Sequence, residues 1–215
     1  MRRLLAIALC LAACCAWGET ETVLNKVQLG TDLPTLERGA ETVMTVCVGC
    51  HSLKYIHFRE LAKLGIAKDK VDTWRGSNPM GMSIASQMPP EAAMASFGKT
   101  PPDLSLMVKA REGEANYVYS YLLGYYTTPE GATGNHFYPA TKMPDILAVA
   151  GVTDPAQHAQ LEQKAREVTS FLAWAADPRA QERQTLGYYV LGYLLIFTTM
   201  LFFLKGRIWA ALDKV

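Results

Sequence analysis

The chain has 215 residues, half of them hydrophobic and 19% charged, with a formal net charge of +1. That composition is too apolar for a disordered chain, and the near-neutral balance speaks against a nucleic-acid binder, which relies on a basic excess. The apolar residues gather at both ends, so two membrane-type segments flank a polar middle of single-domain size.

The first end reads as a secretory signal over residues 1–18. Arg2 and Arg3 form a charged start, and Leu4 to Cys15 is an apolar run too short to span a bilayer. Ala16-Trp17-Gly18 offers small residues where a signal peptidase reads, which places cleavage after Gly18. Leu11-Ala12-Ala13-Cys14 is a rival, a lipobox that would make Cys14 a lipidated N-terminus. Of the five cysteines, Cys10, Cys14 and Cys15 fall inside this segment. Only Cys47 and Cys50 remain after cleavage, too few and too close for a disulfide scaffold.

Residues 19–180 form the exported domain. Leu36, Ala40, Val43 and Met44 recur at helical spacing, which predicts a helix over Thr35 to Cys47. Gly39 lies on the same side and would admit a second helix at close range. At the end of this helix stands Cys47-Val48-Gly49-Cys50-His51, the Cys-x-x-Cys-His signature of c-type haem attachment. Two thiols at this spacing can add to the two vinyl groups of one porphyrin, and the adjacent imidazole can bind the iron. A thioredoxin-like pair would need its first cysteine to open a helix after a strand. A zinc site would need a second ligand cluster, whereas His57, His136 and His158 are scattered.

Trp74 to Pro102 and Thr127 to Pro144 are rich in proline and read as loops, and no run alternates as a strand. Gly113 to Tyr126 is a candidate third helix, with Tyr117, Tyr121 and Leu122 at its apolar spacing. Asp154-Pro155 opens a strong helix over Ala156 to Ala176, with a capping aspartate and a first-turn proline. Asp177-Pro178 then breaks the pattern. Long loops need something to pack on, and a large buried cofactor would supply it. The sixth iron position could be filled by a methionine, the arrangement usual in electron-transfer haems. Met80, Met82, Met88, Met94, Met107 and Met143 are the candidates, together with the other histidines. Met143 and Met88 stand out because a following proline holds each extended.

Leu186 to Leu204 is 19 residues without a formal charge. As a helix it covers about 28 Å, close to the hydrocarbon thickness of a bilayer. Tyr188, Tyr189 and Tyr193 suit one interface. Lys205, Arg207 and Lys214 follow the span and Arg179 and Arg183 precede it, which places residues 205–215 in the cytoplasm and the domain in the periplasm.

These motifs together resemble the cytochrome c1 family, the haem-bearing subunit of the bacterial cytochrome bc1 complex. The resemblance rests on the haem motif with Ser52-Leu53-Lys54-Tyr55 and on Phe58-Arg59-Glu60-Leu61. It extends to Pro101-Pro102-Asp103-Leu104-Ser105, Lys109-Ala110-Arg111, Asn135-His136-Phe137-Tyr138-Pro139 and Phe171-Leu172-Ala173-Trp174-Ala175. It implies a mostly α, cytochrome c-like haem domain with long loops and one C-terminal transmembrane helix. One haem c is expected, held covalently by Cys47 and Cys50, with His51 and Met143 on the iron and Arg111 and Tyr117 against a propionate. The implied role is an electron carrier at the inner membrane, in itself no enzyme. It would pass single electrons from a Rieske iron–sulfur protein to a soluble or membrane-bound cytochrome c, beside a cytochrome b subunit. Two alternatives are a haem enzyme or gas sensor with an open sixth site, and a stand-alone anchored shuttle.

Overall fold

A computed structural model describes residues 23–212, so the predicted signal segment, with Cys10, Cys14 and Cys15, lies outside the described residues. The chain divides into two units, residues 1–176 and 177–215.

The first unit is built on two helices. Helix α1 spans Leu33–Thr45. Asp32 caps it, accepting from the Thr35 amide at 3.0 Å and the Thr35 hydroxyl at 2.9 Å, and Pro34 occupies its first turn. It starts two residues before the predicted boundary and stops short of Cys47. A separate 3-10 turn, Cys47–Gly49, carries the first cysteine instead.

After that turn, and before the second main helix, come β1 (Leu53–His57), α2 (Phe58–Leu64), α3 (Lys68–Arg75), β2 (Ser83–Ile84), α4 (Pro90–Phe97), α5 (Glu114–Leu123) and a hairpin. The hairpin pairs β3 (Tyr125–Thr127) with β4 (Thr133–Asn135) antiparallel, and β1 pairs antiparallel with β2. Helix α6, Pro155–Ala176, then closes the unit, with Asp154 accepting from the Gln157 amide at 3.0 Å.

Helices α1 and α6 bury their apolar stripes against each other. Leu36, Ala40, Val43 and Met44 lie on one side, with Ala165, Val168, Phe171 and Leu172 on the other. Gly39 makes the approach possible. A Cβ there would stand 2.9 Å from the Cβ of Phe171 and inside contact distance of the Glu167 carbonyl oxygen. Beside this contact the buried Glu167 carboxylate takes the Arg38 Nε at 2.6 Å and the Gln163 amide at 2.6 Å. Gly39→Ala is therefore expected to push two backbones apart, a kind of overpacking that typically costs about 1–3 kcal/mol. With backbone as the obstacle, the loss should reach the upper end, a fall in melting temperature of about 6–12 °C. A thermal melt of the haem-loaded protein unchanged within about 2 °C would contradict this packing.

Three expectations need correcting. The chain does contain strands, but they have two to five residues, too short for alternation to register. Helix α5 ends at Leu123, not Tyr126. Gly124 packs beneath Phe137, where a Cβ would meet the ring at 2.5 Å, and Tyr125 turns into its pairing with Asn135. The stretch from Trp74 to Pro102 is not wholly loop, because Pro89-Pro90 starts α4 and Gly98, at φ 69°, stops it.

The second unit is a single helix, α7, spanning Ala180–Leu212. It contains the predicted span 186–204 and extends beyond it at both ends, with residues 205–212 continuing the helix. Its apolar side chains are exposed, which in water would be prohibitive and in lipid is required. Thirty-three residues give about 50 Å of helix, enough to cross the hydrocarbon and reach both headgroup layers. At the first end Arg183 pairs with Asp177. At the other, the Lys205 ammonium lies 5.5 Å from the centre of the Trp209 ring, an amphipathic pair suited to an interface.

Candidate haem cleft

The Cys-x-x-Cys-His segment is wound tightly on itself. The Cys50 and His51 amides both donate to the Cys47 carbonyl, at 3.1 and 2.8 Å, so the two cysteines and the histidine leave one small turn. Neither cysteine is in a disulfide. Cys47 is buried, and burial pushes its thiol up to about 11.

His51 is buried as well, and burial lowers its pKa and favours the neutral ring. Its Nδ1 lies 2.7 Å from the Pro102 carbonyl oxygen. A carbonyl only accepts, so Nδ1 carries the proton and the Nε2 lone pair is left free to bind a metal. Pro102 is held in place in turn. The Leu104 amide donates to the Ser52 carbonyl at 2.8 Å, and the Asp103 carboxylate takes the Lys54 amide at 2.8 Å. The Pro-Pro-Asp-Leu-Ser segment is thus the support that fixes the histidine ring.

Cys47, Cys50, His51, Arg111, Tyr117 and Met143 all line one cleft with about 1350 Å³ of empty space, counted to its open mouth. All six candidate residues therefore meet in one place. Of the methionines, Met107 and Met143 line it, whereas Met80, Met82, Met88 and Met94 do not. The other histidines have work elsewhere. His57 caps α2 with Glu60, His136 stacks on Tyr126 at 4.2 Å, and His158 faces Glu162 at 3.3 Å.

The lining tests whether a haem fits. Leu104, Val118, Leu122, Ile146, Val168 and Leu172 supply apolar surface for a porphyrin. Lys99, Arg111 and Lys142 are its charged members, and among the described residues no carboxylate lines it. An apolar slot with three cations suits a flat macrocycle that carries two carboxylates. Lys99 and Lys142 escaped the sequence reading, although each stands two residues before a proline in the stretches read as loops. Tyr117 and Tyr121 stack at 6.2 Å, and Tyr121 meets Tyr125 edge-on at 5.8 Å. The spacing of Tyr117 and Tyr121 was visible as part of a helical stripe, but not the place of Tyr125 or the tie of these residues to the methionine loop. Burial raises the Tyr117 pKa and the Arg111 charge opposes that rise, which places the two groups within electrostatic reach of each other.

A helical domain that folds around such a cleft, in a chain with a helix of membrane-spanning length, defines a membrane-anchored haem protein. Comparison with known sequences narrows the class. The model of the Cytochrome C1 family matches residues 25–212, and the chain belongs to that family. It is 32% identical to cytochrome c1 of Rhodospirillum rubrum over 83% of this chain and 82% of that protein. Cytochrome c1 of Allochromatium vinosum is 30% identical over 83% of this chain and 84% of its own length. A Bradyrhizobium diazoefficiens protein named cytochrome b/c1 is 32% identical over 83% of this chain, which spans only 33% of that longer protein.

Proposed function

We propose that this chain is the c-type cytochrome of a quinol–cytochrome c oxidoreductase complex, carrying single electrons from a Rieske iron–sulfur protein to a c-type cytochrome. The observation that carries the reading is the meeting of Cys47, Cys50, His51 and Met143 in one apolar, cation-bordered cleft. Haem iron, when bound, supplies a one-electron ferric–ferrous couple. Cys47 and Cys50 would each add an S–H across a vinyl group, the sulfur bonding one carbon and the hydrogen going to the other. His51 would present Nε2 to the iron, oriented by Pro102. Met143 would offer its thioether as a second ligand to the iron, and soft sulfur favours the ferrous state. Arg111 and Tyr117 would hold a propionate, and the apolar wall would keep water from the iron.

The helix Ala180–Leu212 would anchor the domain as a single pass, with residues 19–180 in the periplasm after signal removal and the C-terminus in the cytoplasm. A cytochrome b subunit is the expected neighbour of that helix, and the name of the Bradyrhizobium relative joins the two components. Extraction from the membrane in mild detergent tests the assignment. A tag on this chain should bring down a b-type haem subunit and a Rieske protein in equal amounts. Recovery of the chain with its haem c alone would replace the complex by a stand-alone shuttle.

A further inference from the structure

The loop that carries Met143 is tied to itself through three hydroxyl groups. The Met143 amide donates to the Thr141 hydroxyl oxygen at 3.1 Å. That oxygen lies 2.6 Å from the Tyr121 hydroxyl, which lies 3.1 Å from the Tyr125 hydroxyl. The Tyr125 hydroxyl donates to the Met143 carbonyl at 3.0 Å. The chain of contacts thus leaves one end of Met143 and returns at the other.

The two ends of the circuit fix the bonds to Met143. An amide N–H only donates and a carbonyl only accepts, so Met143 gives to Thr141 and receives from Tyr125. Tyr125 faces both the Met143 carbonyl and the Tyr121 hydroxyl as a donor, and its single proton serves the two between them. Within the Tyr121–Thr141 pair either hydroxyl can donate to the other.

The anchors of the ring are rigid. Tyr121 sits on α5 and Tyr125 on β3, and the fully buried Asn135 joins them to the loop. Its amide nitrogen donates to the Tyr121 carbonyl at 2.8 Å, and its oxygen accepts from the Phe137 and Tyr138 amides at 2.9 and 3.2 Å. Pro144 restricts the backbone on the far side of the methionine. Met143 is therefore clamped at its N–H, at its C=O and by the residue that follows it.

We propose that Tyr125, Tyr121 and Thr141 are positioning residues for the Met143 thioether, a hydroxyl ring that holds the Met143 backbone so that its sulfur stays on the iron. The inference rests on the reading of Met143 as the axial ligand. Losing one neutral hydrogen bond shifts a two-state equilibrium by about fivefold. A broken ring should therefore increase the population with the sulfur detached by about that factor.

The test uses the full-length, haem-loaded chain in its native membrane complex, with the variants Tyr125→Phe, Thr141→Val, Thr141→Ser and Met143→Leu. Carbon monoxide can bind the reduced protein only when the sulfur is off the iron. Its binding rate should rise about fivefold in Tyr125→Phe and in Thr141→Val, the number expected for one lost bond. The methionine–iron charge-transfer band of the oxidised protein should persist in both at low temperature and fade earlier on warming. Thr141→Ser keeps the hydroxyl and should behave as wild type. If Tyr125→Phe accumulates without haem, Thr141→Val and Thr141→Ser decide alone. The ring is overturned if Tyr125→Phe and Thr141→Val both bind carbon monoxide at the wild-type rate while Met143→Leu loses the band. It is equally overturned if Thr141→Ser matches Thr141→Val, since packing would then be the cause. A Met143→Leu protein that retains the band overturns the ligand assignment itself.

Discussion

Replacing both Cys47 and Cys50 with alanine is expected to abolish covalent haem attachment completely. These are the only cysteines beyond residue 15, so no other thiol of the exported domain could form a thioether. The tight turn around the Cys47 carbonyl brings the two sulfurs out of one short segment, and a more distant nucleophile would have no such placement. Each single substitution should leave one thioether at most and a poorly retained haem. Haem staining after denaturing electrophoresis reads the result directly, because only thioether-bound haem survives it. Normal staining in the double variant would overturn the attachment reading and the family-derived role built on it.

Met143→Leu should give a folded, haem-loaded protein whose reduction potential falls by more than about 59 mV, the one-electron equivalent of a tenfold shift. Leucine is close to methionine in volume, and swaps of this kind usually cost less than about 1.5 kcal/mol. The change therefore isolates the sulfur. The charge-transfer band should vanish, and the reduced protein should bind carbon monoxide readily. Two controls sharpen the result. Met107 also lines the cleft, and Met107→Leu tests whether the thioether comes from there. Met88, the rival on sequence grounds, does not line the cleft, and Met88→Leu should change nothing. Loss of the band in Met107→Leu with its retention in Met143→Leu would reassign the ligand. A wild-type protein that already binds carbon monoxide as readily as Met143→Leu would mean an open sixth site and a gas-binding or enzymatic role.

What could be read in advance divides along physical lines. Helices α1 and α6 were legible because each carries a sustained apolar stripe, and α6 also because Asp154-Pro155 marks its start; the capping Asp32 and the first-turn Pro34 of α1 were not read. Gly39 was legible for its lack of a side chain on a buried face. The span 186–204 was legible because lipid imposes length and apolarity on every residue in it. Helices α2, α3 and α4 have seven or eight residues each, too few to show a period, and went unseen. The strands escaped for the same reason. Within the cleft, the attachment motif was readable because two sulfurs and an imidazole must be adjacent in sequence to serve one porphyrin. The Pro102 carbonyl and the Tyr125 hydroxyl act from 51 and 18 residues away. Nothing local marks such partners, because only the folded chain brings them together.

The burial of Cys47 has a consequence for when a haem is best attached. The folded domain covers nearly all of the residue, and it lines the cleft. Burial also pushes its thiol up to about 11, so little of it is thiolate at neutral pH. The sulfur is therefore easier to reach and to ionise in the open segment than in the folded domain. A haem attached at that earlier stage would become part of what the rest of the domain folds around.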